Sequence, residues 1–150
     1  MNLTHNPGRI AGFLYLLLIV LAPIRLAYIP SKLFVHGNAS ATVANISAHE
    51  LLFRLGIVAD LFCGVILIFL ALAFYRLFRG VDQNLAVQVV ILGGVMPGVI
   101  DFVNVLNDAG VLIVMHGTDF LSVLEKPQRD ALAILFLHLH NQEIVATGIL

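Results

Sequence analysis

Long apolar stretches alternate with short polar connectors along this chain, and the apolar stretches make up most of its 150 residues. An α-helix needs about 20 predominantly apolar residues to cross the hydrocarbon core of a bilayer. Four stretches are long enough for one crossing each. The pattern therefore predicts four membrane spans, over residues 10–29, 51–75, 85–108 and 128–150.

The ends of the first two predicted spans carry local signals. Pro30 is expected to mark the exit of the first span, because proline breaks the interior of a helix. Ser47 and Glu50 have the S-x-x-E spacing of a capping box, which predicts the start of the second span and leaves residues 31–47 as a connector. Glu50 and Arg54 are four residues apart, in the order that favours a helix-surface ion pair.

The third and fourth apolar stretches are less regular. The third continues to Met115, which is more than one span needs, so its helix is expected to end near residue 108 and to leave residues 109–115 at the interface. Pro127 suits the first turn of the fourth helix. The chain stops at Leu150 without the Lys or Arg anchor that helix ends commonly carry, which favours a truncated form of a longer protein.

Composition supports a membrane location for the whole chain. Hydrophobic residues make up 60% of the sequence, charged residues make up 11%, and the mean hydropathy is +1.00, whereas soluble domains contain about 25% charged residues. The net charge of −1 excludes the basic surface that nucleic-acid binding requires. We therefore predict an all-α, polytopic transmembrane helical bundle, forming a single domain over residues 1–150, with the lipid bilayer as its partner and no nucleic acid.

Ionisable side chains interrupt the predicted spans. An uncompensated Asp, Lys or Arg at the centre of a span costs about 2.5–3.5 kcal/mol, so such residues normally face a partner or a polar cavity. The deep acids and bases are therefore expected to meet in an intramembrane polar cluster centred on Arg54, Asp60 and Asp101. The predicted members of this cluster are Arg25, Arg54, Asp60, Asp101, Asn104, Asp108, His140 and Glu143.

Small residues share helical faces with the deep acids. In the second predicted span Gly64 lies one turn after Asp60, and in the third span Gly98 and Gly94 lie one and two turns before Asp101. Gly94 and Gly98 also have the G-x-x-x-G spacing of close helix contacts. Both acids are therefore expected to point towards other helices, and the small-residue faces allow association with a second copy or with another membrane protein.

Few signatures of chemistry are present. The sequence contains no G-x-S-x-G, H-E-x-x-H, Walker or dinucleotide-binding motif, so no catalytic residue is predicted and an enzyme is the least supported class. His138 and His140 place their rings on different helix faces, and this spacing alone defines neither a zinc nor a haem site. Cys63 is a single cysteine and predicts no disulfide. No metal ligand and no cofactor is therefore predicted, although an absorption spectrum would test for a cofactor held by either histidine.

Several segments of the chain resemble one family. They are Arg9–Leu16, Ala41–Ile46, Glu50–Leu61 and, more weakly, Leu72–Asp82. Over about residues 9–86 the chain resembles a bacterial family of integral membrane proteins known as domain of unknown function 4386. The resemblance implies a multi-pass helical fold of about six spans in the bacterial cytoplasmic membrane, and it implies no activity.

The sequence leaves two functions open and favours the first, with the second as the alternative. In the first, the polar cluster joins helices in a structural or accessory membrane protein. In the second, Asp60 and Asp101 handle a proton or a cation in a small-solute transporter or a ligand-binding membrane protein. Exchange of Asp101 for Asn distinguishes the two, because a structural role predicts lost stability and a transport role predicts lost uptake.

Overall fold

The computed structural model describes residues 6–35, 37–117 and 119–147, without the side chains of residues 143, 144, 146 and 147. These described residues form helices and turns, and they include no strand. The helices in chain order are α1 (Pro7–Leu33), α2 (Ala39–Ala48), α3 (Glu50–Phe78), α4 (Gln83–His116) and α5 (Lys126–Thr147), with a 3-10 turn at Asp119–Leu121 between the last two.

α1, α3 and α4 are long and apolar enough to cross a membrane. They contain 27, 29 and 34 residues, and at about 1.5 Å per residue each exceeds the ~30 Å of a bilayer core. Large apolar side chains such as Phe13, Leu16 and Val20 are exposed on α1, which is a surface suited to lipid. Three of the four predicted spans are therefore confirmed as helices of the required length and composition.

The fourth predicted span differs from the other three. Its residues form α5, a helix of 22 residues. Within the described residues, α5 is not among the helices apolar enough to cross a membrane by composition. The polar run from His138 to Glu143 accounts for the difference. The predicted end of this span, residues 148–150, lies outside the described residues.

α1 and α4 each contain a π-helical turn. α1 is α-helical over Pro7–Pro23 and Ile29–Leu33, and the π turn Ile24–Tyr28 lies between these segments. α4 has the same arrangement around a π turn at Ile91–Val95. Such turns insert an extra residue into a helix and often occur at functional sites.

A proline follows each π turn by two residues, Pro30 in α1 and Pro97 in α4. In a regular α-helix the proline ring strikes the carbonyl group four residues earlier, which here belongs to the middle residue of the π turn, Leu26 or Gly93. The wider turn relieves that clash, so the helix continues past the proline. The prediction that Pro30 ends the first span is therefore wrong, and α1 reaches Leu33.

α4 also runs beyond its predicted end. It continues through residues 109–115 to His116, where Gly117 adopts a φ of 60°. A left-handed residue after the last turn is a common helix stop, and glycine takes that conformation without a Cβ clash. The prediction of an end near residue 108 is wrong, because the residues that follow contain no proline and continue the helix.

The predicted first connector contains a helix, α2. Its start is capped by Asn38, whose side chain accepts a hydrogen bond from the backbone N–H of Ala41 at 2.9 Å. The predicted capping box is wrong, because Ser47 already belongs to the last turn of α2 and α3 starts at Glu50 without a side-chain cap. The predicted ion pair of Glu50 with Arg54 is confirmed, with Oε1 and Nε 2.7 Å apart.

α2 covers one end of the helix bundle. Ile46 of α2 and Leu33 of α1 are fully buried in the main hydrophobic core beneath it. The Thr42 hydroxyl accepts a hydrogen bond from the backbone N–H of Val35 at 2.9 Å and donates to the carbonyl oxygen of Val35 at 3.2 Å. These contacts hold α2 against the end of α1.

Small residues set the contact between α3 and α4. α3 packs against both α1 and α4, and α5 packs against α4 and α2. A Cβ added to Gly98 would lie 3.2 Å from the carbonyl oxygen of Gly64, so the two backbones approach closely. Gly94 faces Ala71 in the same interface. The G-x-x-x-G face of α4 is therefore packed against α3 within this chain.

Candidate functional site

Arg25, in the π turn of α1, joins three helices through two buried carboxylates. Its Nε forms an ion pair with Oδ1 of Asp60 on α3, and its Nη2 donates a hydrogen bond to Oδ1 of Asp101 on α4 at 2.6 Å. Both aspartates are only 3% exposed. One guanidinium therefore ties α1 to α3 and α4 in the interior of the bundle.

A second buried pair lies next to the first. Nδ1 of His140 on α5 is 3.0 Å from Oδ1 of Asp108 on α4, and both side chains are largely buried. One ligand atom from each of Asp60, Asp108 and His140 lies within 4.8 Å of the other two. Asp60 therefore links the two pairs into one group. This charged cluster consists of Arg25, Asp60, Asp101, Asp108 and His140.

Helix geometry on α4 accounts for the position of its two acids. Asp101 and Asp108 are seven residues apart, which is two helical turns, so they lie on one face of α4. Asn104 lies between them and is fully buried. The close glycine contact between α3 and α4 brings this face against Asp60.

A second close contact carries His140 to the charged cluster. A Cβ added to Gly110 on α4 would lie 3.0 Å from the ring of Phe136 on α5, so the two helices touch there. Phe136 and His140 are four residues apart and lie on one face of α5. This contact therefore sets His140 opposite Asp108.

A cavity of about 880 Å³ reaches the charged cluster. Its walls come from the end of α1, the segment that follows it, α2, α3 and α5. Apolar side chains that line it include Leu26, Ile29, Phe34, Phe53, Ile134 and Leu137. Four members of the charged cluster also line it, namely Arg25, Asp60, Asp108 and His140. The cavity thus has largely apolar walls and a charged floor.

The charged cluster holds more acid than base. Three carboxylates, from Asp60, Asp101 and Asp108, face one guanidinium, and His140 adds a positive charge only when it is protonated. One or two negative charges therefore stay uncompensated. In the described part of the chain, Oδ2 of Asp101 is buried without a hydrogen-bond partner. Because uncompensated charge is costly inside a membrane, the cluster is expected to attract a proton or a cation.

The prediction placed Arg54 at the centre of the polar cluster, and this is wrong. The Arg54 side chain is 55% exposed and pairs with Glu50 one turn away. Arg54 lies near the start of α3, where a long cationic side chain reaches the polar boundary of the membrane. Arg25 occupies the central position instead. The side chain of Glu143 lies outside the described part of the structure.

Some residues of the site were not predicted from the sequence. His138, Asn141 and Thr42 line the cavity, although none was a predicted member of the polar cluster. Asp108 and His140 are residue types that bind metal ions, and the sequence did not indicate that these two members of the polar cluster pair with each other. Helical spacing indicates which residues share a face of one helix. The register between two helices depends instead on contacts such as that between Gly110 and Phe136, which spacing does not predict.

These features define a helical membrane protein with a charged interior. The family model described as Domain of unknown function (DUF4386) matches residues 10–150, and the chain belongs to this family. The match confirms the resemblance seen in the sequence and extends it over α4 and α5. A comparison with curated proteins and a comparison with solved structures each found no match.

Proposed function

We propose that the protein binds a small cationic solute inside the membrane, with the cavity as its binding site. The main support is that a cavity of ligand size ends on a charged cluster with surplus acid. Asp60 and Asp108 both line the cavity and supply the negative charge with which a cation would pair. Asp101, which the sequence favoured for this role together with Asp60, pairs with Arg25 but is not among the described residues that line the cavity.

The cavity has the size and lining of a small-molecule site. Pockets for such ligands typically enclose about 300–1,000 Å³, with mostly apolar walls and a few polar groups. The apolar walls of this cavity suit the carbon skeleton of an organic amine. The charged floor suits an ammonium group or a metal ion. The class of ligand is therefore a small cation, and its identity is open to experiment.

A purely structural or accessory role has less support. The small-residue face of α4 that would mediate association is already packed against α3. The bridge from Arg25 to Asp60 and Asp101 joins three helices without help from the Asp108–His140 pair. The presence of that second pair at the cavity favours ligand binding over assembly.

In this proposal α5 is a fourth span. Its 22 residues extend for about 33 Å, which matches the ~30 Å of a bilayer core. His138, His140 and Asn141 lower its apolar character, but all three line the cavity. Polar side chains on a cavity avoid the cost of contact with lipid, so composition alone underestimates this helix as a span.

Thermal unfolding with added cations tests this function. The purified protein would be unfolded in mild detergent with Na⁺, Mg²⁺, Zn²⁺ or methylammonium. A ligand whose concentration is 100 times its dissociation constant stabilises a protein by about 2.7 kcal/mol. One class of cation should therefore raise the midpoint temperature of unfolding. Asp60→Asn and Asp108→Asn should lose that increase, because each removes a carboxylate from the cavity floor.

Asp119→Asn is the matched control. It makes the same exchange at an exposed position in the 3-10 turn, so it should respond to cations as the wild type does. The proposal fails if no cation raises the midpoint, or if Asp60→Asn keeps the increase. The accessory role would be favoured if no cation stabilises the wild type and Asp60→Asn is less stable than the wild type. Uptake into proteoliposomes then determines whether binding leads to transport.

A further inference from the structure

We infer that Asp60, Asp108 and His140 form a binding site for one divalent transition-metal cation of the Zn²⁺ class. This rests on the proposed function, because it names the cation that the cavity takes. The three residues come from α3, α4 and α5 and meet at the cavity floor. Each belongs to a different helix, so metal binding would also hold these helices together.

The ligand atoms already lie near one another. One atom from each residue lies within 4.8 Å of the other two, and Nδ1 of His140 is 3.0 Å from Oδ1 of Asp108. Zn²⁺ binds nitrogen and oxygen at about 2.0–2.2 Å, which puts neighbouring ligand atoms roughly 3.4 Å apart. Small side-chain rotations would close the site, because packed helices already hold the three residues at suitable positions.

The donor atoms select the class of metal. One imidazole and two carboxylates make a mixed nitrogen and oxygen set, which suits Zn²⁺ and neighbouring transition metals. Ca²⁺ and Mg²⁺ prefer sites made of oxygen atoms alone. The presence of His140 therefore favours a transition metal over either of these ions.

Charge balance indicates a divalent cation. A metal-bound histidine is neutral, so the charged cluster would set three carboxylates against the single charge of Arg25. The surplus is two negative charges, which a divalent cation cancels and a monovalent cation only halves. Oδ2 of Asp101, buried without a hydrogen-bond partner among the described residues, adds to the need for such a cation.

Arg25 leaves room for the metal. It contacts Oδ1 of Asp60 and Oδ1 of Asp101, so Asp60 keeps its second carboxylate oxygen for a cation. Metal-binding carboxylates commonly have a second hydrogen-bond or ion-pair partner, which fixes their orientation. Three protein ligands leave a coordination position open on Zn²⁺. Because all three residues line the cavity, a bound metal would be accessible to water or a solute there.

Titration with Co²⁺ tests the site directly. Protein prepared without a polyhistidine tag and stripped with a chelator would receive Co²⁺, whose visible absorption reports the number and geometry of its ligands. One Co²⁺ per chain should bind to the wild type, with the intense bands of four or five ligands. Zn²⁺ should displace it, because both ions accept the same donor set.

His140→Gln is the main variant, because glutamine keeps a hydrogen-bond donor for Asp108 and removes the imidazole. It should weaken Co²⁺ binding by more than the about 10–100-fold that loss of an outer contact costs. His49→Gln is the matched control, since it makes the same exchange at an exposed histidine outside the cavity lining. Helix content and gel filtration of the metal-free proteins verify folding, and Asp108→Asn replaces His140→Gln if the latter does not fold.

The inference is overturned if the wild type binds no stoichiometric Co²⁺, or if His140→Gln binds it with unchanged affinity. If methylammonium still stabilises the wild type through Asp60 while Co²⁺ does not bind, the proposed function stands without a metal site. If neither cation binds, both proposals fail. Stabilisation by Zn²⁺ that His140→Gln loses and His49→Gln keeps supports both.

Discussion

Arg25 is the residue on which the charged cluster depends most. Loss of one partner from a buried ion pair leaves the other charge uncompensated and costs about 3–5 kcal/mol. Arg25→Met would leave two carboxylates, those of Asp60 and Asp101, without their cation. We therefore predict that this variant loses at least about 3–5 kcal/mol of unfolding free energy, measured by denaturation in mild detergent.

Arg54→Met is the matched control for that exchange. The Arg54 side chain is 55% exposed and pairs at the helix surface, so its removal should leave the unfolding free energy close to that of the wild type. Addition of Asp101→Asn to Arg25→Met should recover part of the loss, because it removes one of the uncompensated charges. Equal losses in the two arginine variants would refute a shared counter-ion at Arg25.

At the residue scale, the sequence predicted the inward acids and included Arg25 in the cluster, but it placed Arg54 rather than Arg25 at the centre. Helical phase placed Asp60 and Asp101 beside small residues, and such faces pack against other helices. The choice between Arg25 and Arg54 had no such signal, because both lie on apolar helices near the same connector. Arg25 lies in the π turn Ile24–Tyr28, whose extra residue changes the direction in which the following side chains point.

The contact between α3 and α4 depends on the absence of a side chain at Gly94. A Cβ at this position would collide with the Cβ of Ala71. Gly94→Ala should therefore reduce the unfolding free energy by about 1–3 kcal/mol, the usual cost of overpacking. Thermal unfolding in detergent measures the loss. The variant should also respond less to cations, because the same contact brings Asp60 near Asp108.

Gly93→Ala is the matched control at the neighbouring position. A Cβ on Gly93 would have nothing within 4 Å, so the added methyl group meets open space. Alanine favours a helix over glycine by about 1 kcal/mol, and this variant should match or exceed the stability of the wild type. If Gly94→Ala is as stable as Gly93→Ala, the close approach of α3 and α4 is refuted.

At the scale of elements, the existence of the long helices was predictable and their ends were not. A run of about 20 predominantly apolar residues has few structures open to it other than a span, which identifies α1, α3 and α4. Pro30 indicated a stop because a regular α-helix cannot hold it, whereas a π turn can. α2 is short, and its helix depends on the Asn38 cap and on burial of Val43 and Ile46 in the core.

At the scale of the whole molecule, the cavity lies where the helices leave space between them. α3 packs against α1 and α4, α5 packs against α4 and α2, and the cavity opens between the end of α1 and α5. Sequence spacing could not predict this space, because it results from the packing faces of all the helices together. Two acids of the cluster lie at this cavity, and this position is our reason for proposing binding rather than assembly.

The three long helices determine which connecting segments share a side of the membrane. One crossing by each of α1, α3 and α4 would place Ser40 and Ser122 on one side and Gly80 on the other. We predict that Ser40→Cys and Ser122→Cys react with an impermeant maleimide from the same side of oriented vesicles. Gly80→Cys should react only from the opposite side. Cys63 is 2% exposed, and Cys63→Ser provides the background.

The side that labels Ser40→Cys is also the side from which a solute should enter. Asn38, which caps α2, and Thr42 on α2 each lie two residues from Ser40 and line the cavity, so we expect its mouth at this end of the bundle. Zn²⁺ confined to that side should therefore quench the bands of bound Co²⁺ at once, whereas Zn²⁺ on the Gly80 side should not. Labelling of all three cysteines from one side would contradict the crossing of α4. If Zn²⁺ displaces Co²⁺ equally fast from both sides, the packed ends of α3 and α4 beside Gly80 do not close the cavity.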